Sequence, residues 1–352
     1  MRLVPAFVFT FFLFLMTGPT SFAQEQPHSS AADSDFELIS DGSFKQGDTN
    51  RSAGIPNWAN FNRNMIVRSR PGGAFVGGKF FLVGGEVDES VYGFKRASRV
   101  EVFDAFTLSW RTSLTDMPIP VSNISSSIAV VGEQIFVFGG WDENADRTSA
   151  IQVYNTLTDS WSVHPTSLNR AVYGCVALST AQGILICGGS VKSGMGGAAT
   201  DECFLFDPLN GSLNTIAPMP VAQFLHSGDC LNDLAVVGAG YGTGKTVQSF
   251  DLQSQTWQQL PDLPHDRAGC GITMAGNYCV FFGGNWNNYR ADCNVLQLAN
   301  NLYNPTIAAA IGSMPTAKRS FAYDDYQSPF LQVAMAVNGW ANTHLANCTA
   351  LY

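Results

Sequence analysis

Histidine and cysteine are the residue types that most often hold metals or carry nucleophilic chemistry, and in this chain they are scattered. The five histidines are His28, His164, His226, His265 and His344, and no H-E-x-x-H or C-x-x-C motif occurs. A G-x-S-x-G nucleophile elbow is also absent from the sequence. The sequence therefore predicts no metal and no cofactor, and it favours a protein without catalysis.

The overall charge limits the classes of partner. The 352 residues carry a formal net charge of -9, and no run of lysine and arginine is longer than two. Binding to nucleic acid or to an anionic membrane surface needs a basic face that neutralises phosphates. We therefore expect no nucleic-acid partner and no polybasic membrane patch.

The N-terminus has the pattern of a targeting segment. Arg2 precedes an apolar run over 7–16, and small residues at Ser21 and Ala23 suit a cleavage site. The run is too short to span a bilayer comfortably. The pattern predicts a signal peptide over 1–23 and a secreted protein, or one in the lumen of the secretory pathway, with an uncleaved anchor as the alternative. Residues 24–50 are polar and predict a flexible tail.

A glycine doublet after a β-rich run organises the rest of the chain. Full doublets end at Gly85, Gly140, Gly189 and Gly284, a Gly-Ala-Gly variant ends at Gly240, and a degraded copy ends at Gly339. Successive copies are 44 to 55 residues apart. A period of this size is typical of repeat proteins, in which each repeat is one supersecondary unit. Residues 51–352 are therefore predicted to form a single repeat domain.

Two further signals recur in register with the doublets. Trp110, Trp161 and Trp257 each lie six positions after an Asp or Asn that ends a β-rich run. This spacing predicts a strand, a tight turn opened by the Asp or Asn, and a second strand that begins with the Trp. A Met-Pro or Leu-Pro pair, as at Leu263-Pro264, precedes several of the repeats.

Together these residues resemble the kelch-repeat family, from about Trp58 to the C-terminus. The resemblance implies an all-β protein, a kelch-type β-propeller with four-stranded blades. The six copies of the repeat imply six blades. The chain reaches Tyr352 at the third strand of the last blade. The segment 56–61, which contains Trp58, looks like an isolated fourth strand. We expect this N-terminal strand to close the last blade.

The register predicts a binding face at one mouth of the central channel. The arginines expected at blade entries are Arg70, Arg170, Arg267 and Arg319, and the aromatic residues expected just after the doublets are Trp141, Tyr241, Trp286 and Trp340. Guanidinium groups beside aromatic faces suit an anionic peptide or glycan. Some kelch propellers bind acidic peptides through arginines at this position, which the resemblance extends to this chain. Alternatively, each arginine ties adjacent blades through carbonyls and carboxylates such as Glu86 or Asp142.

Secretion would permit N-glycans and disulfides. Sequons occur at Asn50, Asn123, Asn210 and Asn347. Cys187 and Cys203 are expected at strand ends that meet in a hairpin, so they predict either a disulfide or two buried thiols.

The leading prediction is a secreted, monomeric kelch binding module with a protein or glycan partner and no membrane span. The alternative is a small exported kelch enzyme, such as a sialic-acid-type epimerase, with an acid and base drawn from an arginine, Glu86 or His226. A kelch copper oxidase is disfavoured because the histidines are too few and too scattered. A ubiquitin-ligase adaptor is disfavoured because the chain has a signal peptide in place of an adaptor domain. An acid and a base converging on the axis would favour the epimerase.

Overall fold

The computed structural model describes residues 66–87, 95–104, 107, 109–144, 146–192, 197–325, 335–339 and 341, and the backbone alone of 36–38, 44–46, 58–61, 326–327, 332–334, 340 and 344–351. The predicted signal peptide lies outside these residues. Within the predicted tail, β1 (Phe36–Leu38) and β2 (Phe44–Gln46) form an antiparallel pair. No described helix is both long and apolar enough to cross a membrane.

Five antiparallel sheets of four strands follow one another along the chain, after the short strands β3 (Trp58–Phe61) and β4 (Arg68–Ser69). Blade 1 contains β5 (Gly72–Val76), β6 (Lys79–Val83), β8 (Arg99–Asp104) and β9 (Ser109–Asp116), with the short β7 (Glu86–Val87) between them. Blade 2 contains β10 (Ile128–Val131), β11 (Gln134–Phe138), β12 (Thr148–Asn155) and β13 (Ser160–Val172). Blade 3 contains β14 (Val176–Thr180), β15 (Gly183–Cys187), β16 (Cys203–Phe206) and β17 (Leu213–Ile216).

The last two of these sheets have the same strand order. Blade 4 contains β18 (Ser227–Leu231), β19 (Leu234–Gly240), β20 (Thr243–Asp251) and β21 (Thr256–Leu260). Blade 5 contains β22 (Gly271–Ala275), β23 (Tyr278–Phe282), β24 (Cys293–Gln297) and β25 (Leu302–Tyr303). A short helix, α1 (Pro305–Ile311), follows blade 5 and packs against β24. Asn304 caps it by accepting a hydrogen bond from the Ile307 amide at 3.0 Å.

The final sheet, which we call the closing sheet, is less regular. It contains β26 (Ala322–Gln327), β27 (Gln332–Trp340) and β28 (His344–Leu351). Beyond β27, β28 pairs with β3 in the register Cys348↔Phe61 to Leu351↔Trp58, and Leu345 pairs with Arg68 of β4. The regular four-stranded blades therefore number five and not the predicted six. The reason is that two short strands share one edge of β28, while a bulge after Val337 interrupts its pairing with β27.

The first strand of each sheet lies next to the first strand of the following sheet. β5 contacts β10, β10 contacts β14, β14 contacts β18, β18 contacts β22, β22 contacts β26, and β26 contacts β5 again. Hydrophobic clusters fill the spaces between sheets; one joins blades 2 and 3 through residues such as Phe136, Ile186 and Phe206. The architecture is an all-β propeller, in which each sheet buries its faces against its neighbours.

The glycine doublets mark the sharp turn that leaves each second strand. Gly139 and Gly140 have φ values of 62° and 110°, and the three other Gly-Gly pairs of this kind, which begin at Gly84, Gly188 and Gly283, have the same geometry. A Cβ on Gly139 would lie 2.3 Å from the Val172 carbonyl oxygen. Only glycine fits this combination of left-handed backbone and close approach.

The repeated tryptophans follow the predicted strand–turn–strand pattern. Trp110 pairs across the turn with Phe103, and their ring centroids are 5.3 Å apart. The pairs Tyr154–Trp161 and Phe250–Trp257 repeat this contact at 5.1 and 4.9 Å. Each indole is half-buried and stacks on the aromatic residue of the neighbouring strand, which stabilises the outer pair of strands.

Candidate functional site

The blade entries and the loops after the doublets meet at one mouth of the ring. In blade 2, Ser122 just before the first strand forms a β-bridge with Trp141 just after the doublet. In blade 3, Tyr173 and Ser190 form the same bridge. Side chains from these two segments therefore surround the same opening.

Five aromatic side chains form a continuous arc around this mouth, and we call it the aromatic arc. The centroid distances are 5.1 Å for Trp141–Tyr173, 6.1 Å for Tyr173–Phe224, 5.5 Å for Phe224–Tyr241 and 4.8 Å for Tyr241–Trp286. Tyr173 and Phe224 are buried, whereas Tyr241 is 41% exposed. The arc thus presents a partly exposed apolar surface on a packed base.

The arc continues into a charged group through Arg319. Its guanidinium carbon lies 3.6 Å from the ring centroid of Trp286, a close cation–π contact. The side chain donates from Nη1 to Ser320 Oγ at 3.2 Å, while Nε has no hydrogen-bond partner among the described residues. Arg319 is only 5% exposed, so a desolvated donor is left unsatisfied.

Contacts of Arg70, Arg96 and Glu86 connect Arg319 back to the first residue of the aromatic arc. The Arg70 guanidinium donates to Glu86 Oε2, and Arg96 Nη1 lies 3.8 Å from Glu86 Oε1. Arg96 Nε donates to the Trp141 carbonyl oxygen at 3.3 Å, which returns to the start of the arc. We call Arg70, Glu86, Arg96 and Arg319 the arginine sector, and the sector with the aromatic arc the belt.

The electrostatics of the sector favour an added negative charge. Burial and, after it, the nearby positive charge of Arg70 lower the pKa of Arg319 to about 10. Burial also lowers the pKa of Arg96, and Arg70 contributes in the same direction. The carboxylates that oppose this lowering at Arg96 are those of Glu86, Glu143 and Asp142. An anion placed among these guanidiniums would offset both the free-energy cost of burying their charges and their mutual repulsion.

The structure brings together five of the eight residues predicted for this mouth, namely Arg70, Arg319, Trp141, Tyr241 and Trp286. Arg267 is elsewhere: it is completely buried and donates to the carbonyl oxygens of Gly283 and Asp292 and to Asn294 Oδ1. All three partners belong to its own blade. The prediction that Arg267 surrounds the mouth is therefore wrong, because its guanidinium replaces missing backbone partners inside blade 5.

Two other buried cations share the position of Arg267. Arg68 donates to the Gly84 carbonyl oxygen at 2.7 Å and to Glu101 at 2.5 Å. Lys318 donates to the Ala336 carbonyl oxygen at 2.8 Å. Like Arg267, each lies two residues before a residue with left-handed backbone conformation; these residues are Arg70, Gly269 and Ser320. Arg267 and Lys318 support individual sheets, whereas Arg68, which lies on β4 next to β28, joins the closing sheet to blade 1.

The remaining predicted belt residues lie outside the described contacts of the belt. Arg170 lies on β13 of blade 2, is about half exposed, and pairs with Glu202 just before β16 of blade 3, so this ion pair joins adjacent blades. The side chain of Trp340 lies outside the described residues.

Six residues with left-handed backbone conformation surround the axis just inside the belt, one at the entry to each sheet, and we call them the left-handed ring. These residues are Arg70, Asn123, Gly174, Leu225, Gly269 and Ser320, with φ between 50° and 69°. Backbone hydrogen bonds join neighbours around the axis, as from the Arg70 amide to the Ser320 carbonyl at 2.7 Å and from the Leu225 amide to the Gly174 carbonyl at 2.8 Å. A cavity of about 20 Å³ lies behind this ring, enough for about one water molecule.

Tyr323 closes the channel below that small cavity. Its hydroxyl lies 2.9 Å from Ser126 Oγ, accepts a hydrogen bond from the Gly228 amide at 3.0 Å, and donates to the Gly228 carbonyl at 3.2 Å. Ser126 belongs to the entry of blade 2 and Gly228 to blade 4, so one side chain spans the axis. We call the group Tyr323, Ser126 and Gly228 the septum.

Beyond the septum, a cavity of about 320 Å³ follows the first strands towards the opposite mouth. Asp229, Asp324 and Asp325 contribute carboxylates to it, and we call it the acidic cavity. Its described lining contains no lysine, arginine or histidine. Asp229 accepts from the amides of Cys230 and Met274, and Asp324 accepts from the Phe75 amide. The carboxylates are thereby fixed between neighbouring sheets.

Like charges accumulate in this cavity. Burial, followed by the repulsion from Asp325, raises the pKa of Asp229 to about 7. The same two causes raise the pKa of Asp324 well above its ordinary range. The acidic cavity therefore favours an added positive charge or a bound proton.

The residues considered for an epimerase do not converge. His226 is 2% exposed, burial lowers its pKa to about 3, and neither ring nitrogen has a described partner. Such an imidazole is a poor base at neutral pH. Glu86 is engaged by arginines of the belt. In the described part of the chain, no group of three His, Cys, Asp or Glu side chains suits a metal ion.

The sequons differ in their structural setting. Asn123 is 3% exposed and occupies the left-handed ring, a setting that disfavours a glycan in the folded protein. Asn210 is exposed in the turn between β16 and β17. Asn50 and the side chain of Asn347 lie outside the described residues.

Cys187 and Cys203 are direct neighbours across β15 and β16. Both are buried and present as free thiols, and burial, with the adjacent Cys203, raises the pKa of Cys187 well above its ordinary range. A disulfide between them stays a prediction.

Sequence reasoning missed Arg96, Tyr173 and Phe224. Tyr173, Phe224 and Arg319 all lie one residue before a left-handed ring residue, so an alignment anchored on that position would have found the first two. Arg96 has no counterpart in the repeat pattern, because it lies in the variable loop before β8.

Comparisons with known proteins agree with this architecture. The family model described as Kelch motif matches residues 125–166. The chain is 26% identical to human Kelch-like protein 34 over 46% of this chain and 25% of that protein. It is 28% identical to Kelch-like protein terF of Aspergillus terreus over 55% of this chain and 46% of that one. It is 26% identical to putative protein tag-53 of Caenorhabditis elegans over 52% of this chain and 15% of that protein. The chain thus spans less than half the length of these relatives.

A solved structure described as "Structure of YjhT" matches with a TM-score of 0.67 at 12% identity, over 82% of this chain and 95% of that one. At this identity the likeness concerns the fold alone.

Proposed function

We propose that this chain, which matches the Kelch motif over residues 125–166 and is similar to kelch-like proteins, is a protein-interaction module that holds its partner at the belt. An acidic peptide or an acidic glycan of the partner would place its anionic group on the arginine sector. Kelch-repeat relatives support the interaction role in general terms. The anionic preference is supported by the belt of this chain.

The arginine sector carries the proposal. Arg70 and Arg96 both pair with one carboxylate, that of Glu86, and the nearby Arg319 has an Nε without a described hydrogen-bond partner although its side chain is only 5% exposed. Leaving a buried charged donor unsatisfied costs free energy that an incoming carboxylate or sulfate would recover. The adjacent arc offers flat apolar surface to the rest of the ligand.

The test compares two probes, a deca-glutamate peptide and a chondroitin sulfate hexasaccharide, by calorimetric titration of the full chain. Arg319→Gln should weaken binding of the favoured probe at least tenfold and reduce its salt dependence. Arg170→Gln is the matched control, because it removes an equal charge outside the belt and should leave affinity unchanged. Equal affinities for the two variants, or binding of neither probe to the original chain, would refute the proposal.

We further propose that the closing sheet acts as a sixth blade completed by β3. The pairing of β3 with β28 and the contact of β26 with β5 support this arrangement. Removal of 24–50 should leave the unfolding temperature nearly unchanged, whereas removal of 24–61 should lower it strongly, because β28 would lose its partner. Equal unfolding temperatures of the two deletions would contradict the closure.

Export of the protein is also a proposal, supported by the signal-peptide pattern over 1–23. Expression of the full chain in a secreting cell should release protein that begins near residue 24, as determined by mass spectrometry. Retention of residues 1–23 in the recovered protein would contradict it.

A further inference from the structure

We propose that the acidic cavity is a binding site for an organic ammonium group, such as the lysine side chain of a partner protein. The cavity lies on the far side of the septum from the belt. It is therefore a second site, independent of the function proposed for the belt.

The shape of the cavity supports a ligand that enters by one end. It has a volume of about 320 Å³, within the range of small-ligand pockets. The septum blocks its inner end, because the Tyr323 hydroxyl is hydrogen-bonded to residues of two other sheets. A narrow chain that enters along the axis would stop at the septum, with its tip beside the three carboxylates.

The lining supports a cation with an apolar stem. Asp229 comes from blade 4, Asp324 and Asp325 come from the closing sheet, and all three line the cavity. Their mutual repulsion shows in the raised pKa of Asp229, and an ammonium would relieve it. Ile128 and Val130 of blade 2 line the same cavity and suit the methylene groups of an alkylammonium.

The geometry favours an organic cation over a metal ion. Asp229 already accepts backbone hydrogen bonds on both carboxylate oxygens, at 2.7 and 2.6 Å. Carboxylates held in this way cannot easily rearrange into the tight oxygen shell of Ca²⁺ or Mg²⁺. Among the described residues no three acidic or other ligating side chains are disposed for a metal. An ammonium tolerates looser geometry because its attraction is largely that of a point charge.

The probe is hexylammonium chloride, and hexanol is its neutral counterpart. In thermal unfolding of the full chain at pH 8, hexylammonium should raise the unfolding temperature in a saturable manner. Hexanol should not. Asp325→Asn should weaken hexylammonium binding about tenfold, which corresponds to the loss of one close charge at about 1.4 kcal/mol. Asp262→Asn removes an exposed acid outside the cavity and should leave binding unchanged.

A second measurement does not depend on any variant. Affinity for hexylammonium should increase from pH 6 to pH 8, because Asp229, with a pKa of about 7, then loses its proton. The other titratable groups around it are Asp324, Asp325, Tyr323, Cys230 and Cys279, and the burial-raised pKa values of Tyr323 and the two thiols keep them neutral over this range. Equal effects of hexanol, unchanged binding in Asp325→Asn, a flat pH profile, or stabilisation by CaCl₂ alone would overturn the proposal.

Discussion

The two mouths of the channel are built from the same strands but carry opposite charge. At the belt, residues next to the left-handed ring contribute arginines and aromatic rings. Only a few positions further along the same first strands, Asp229, Asp324 and Asp325 line the acidic cavity. The septum lies between the two regions. The comparison shows that a symmetric ring can separate two chemically different sites within one short axis.

The mouths also differ in how their charges are compensated. At the belt the negative charge of Glu86 lies between two positive charges, because its carboxylate pairs with Arg70 and Arg96. In the acidic cavity Asp229 and Asp324 have like charges as neighbours and accept hydrogen bonds from backbone amides. Removal of one carboxylate should therefore have opposite effects at the two mouths.

Loss of the septum should have the largest effect on this arrangement. Tyr323→Ala removes a buried ring and its hydroxyl contacts, joins the two cavities, and should cost about 3–5 kcal/mol in the free energy of unfolding. Urea titration measures this value. Tyr241→Ala is the matched control, because Tyr241 is 41% exposed and should cost much less. Similar losses for the two variants would show that Tyr323 does not hold the channel closed.

Removal of the carboxylate at the belt should have the next largest effect. Glu86→Gln leaves Arg70 and Arg96 without their nearest counter-charge and should destabilise the protein by about 3 kcal/mol. Sodium sulfate should restore part of the loss, because the anion replaces the carboxylate. Glu202→Gln breaks the exposed pair with Arg170 and should cost less than about 1 kcal/mol. A larger loss for Glu202→Gln would contradict the assignment of the arginine sector.

Removal of a carboxylate from the acidic cavity should stabilise the protein. Asp325→Asn removes like-charge repulsion and should increase the free energy of unfolding at pH 8 by an amount on the order of 1 kcal/mol. The pKa of Asp229 is raised to about 7, so the folded protein retains a proton that the unfolded chain releases. Stability is thus greatest below the ordinary aspartate range and falls as pH rises through 7. The variant should flatten this fall; an unchanged slope in urea titrations at pH 5 to 8 would contradict the argument.

The smallest effect at neutral pH is expected beneath the left-handed ring. His226→Phe exchanges one buried ring for another; Phe321 occupies the corresponding position before the closing sheet. Because the pKa of His226 is lowered to about 3, the original protein should lose stability as pH falls from about 6.5 towards 3. The variant should resist this loss, whereas the exposed His265→Phe should not. If the free energy of unfolding fell with pH in the same way for His226→Phe and for the original chain, the prediction would be refuted.

The sequence predicts local features of this molecule better than the sites. The turn between Phe103 and Trp110 depends on short-range turn chemistry, and its spacing alone predicted the strand pair. Arg70 and Arg319 were placed at the mouth as predicted, but Arg267 was misplaced because residue type was used in place of register: it lies two residues before Gly269, whereas Arg70 itself occupies the left-handed position. The acidic cavity had no sequence signal, because Asp229 and Asp324 come from different sheets and meet only when the ring forms.

The hydrogen-bonded ring of left-handed residues has a consequence for hydrogen exchange. In an open array of repeats the end units fray first, and their amides exchange by local opening. Here the amides of Arg70, Gly174, Leu225 and Ser320 each donate to the carbonyl of the preceding sheet entry, so releasing one amide requires neighbouring sheets to move apart. These amide protons should be among the slowest to exchange with deuterium, and their rates should report the opening of the whole propeller.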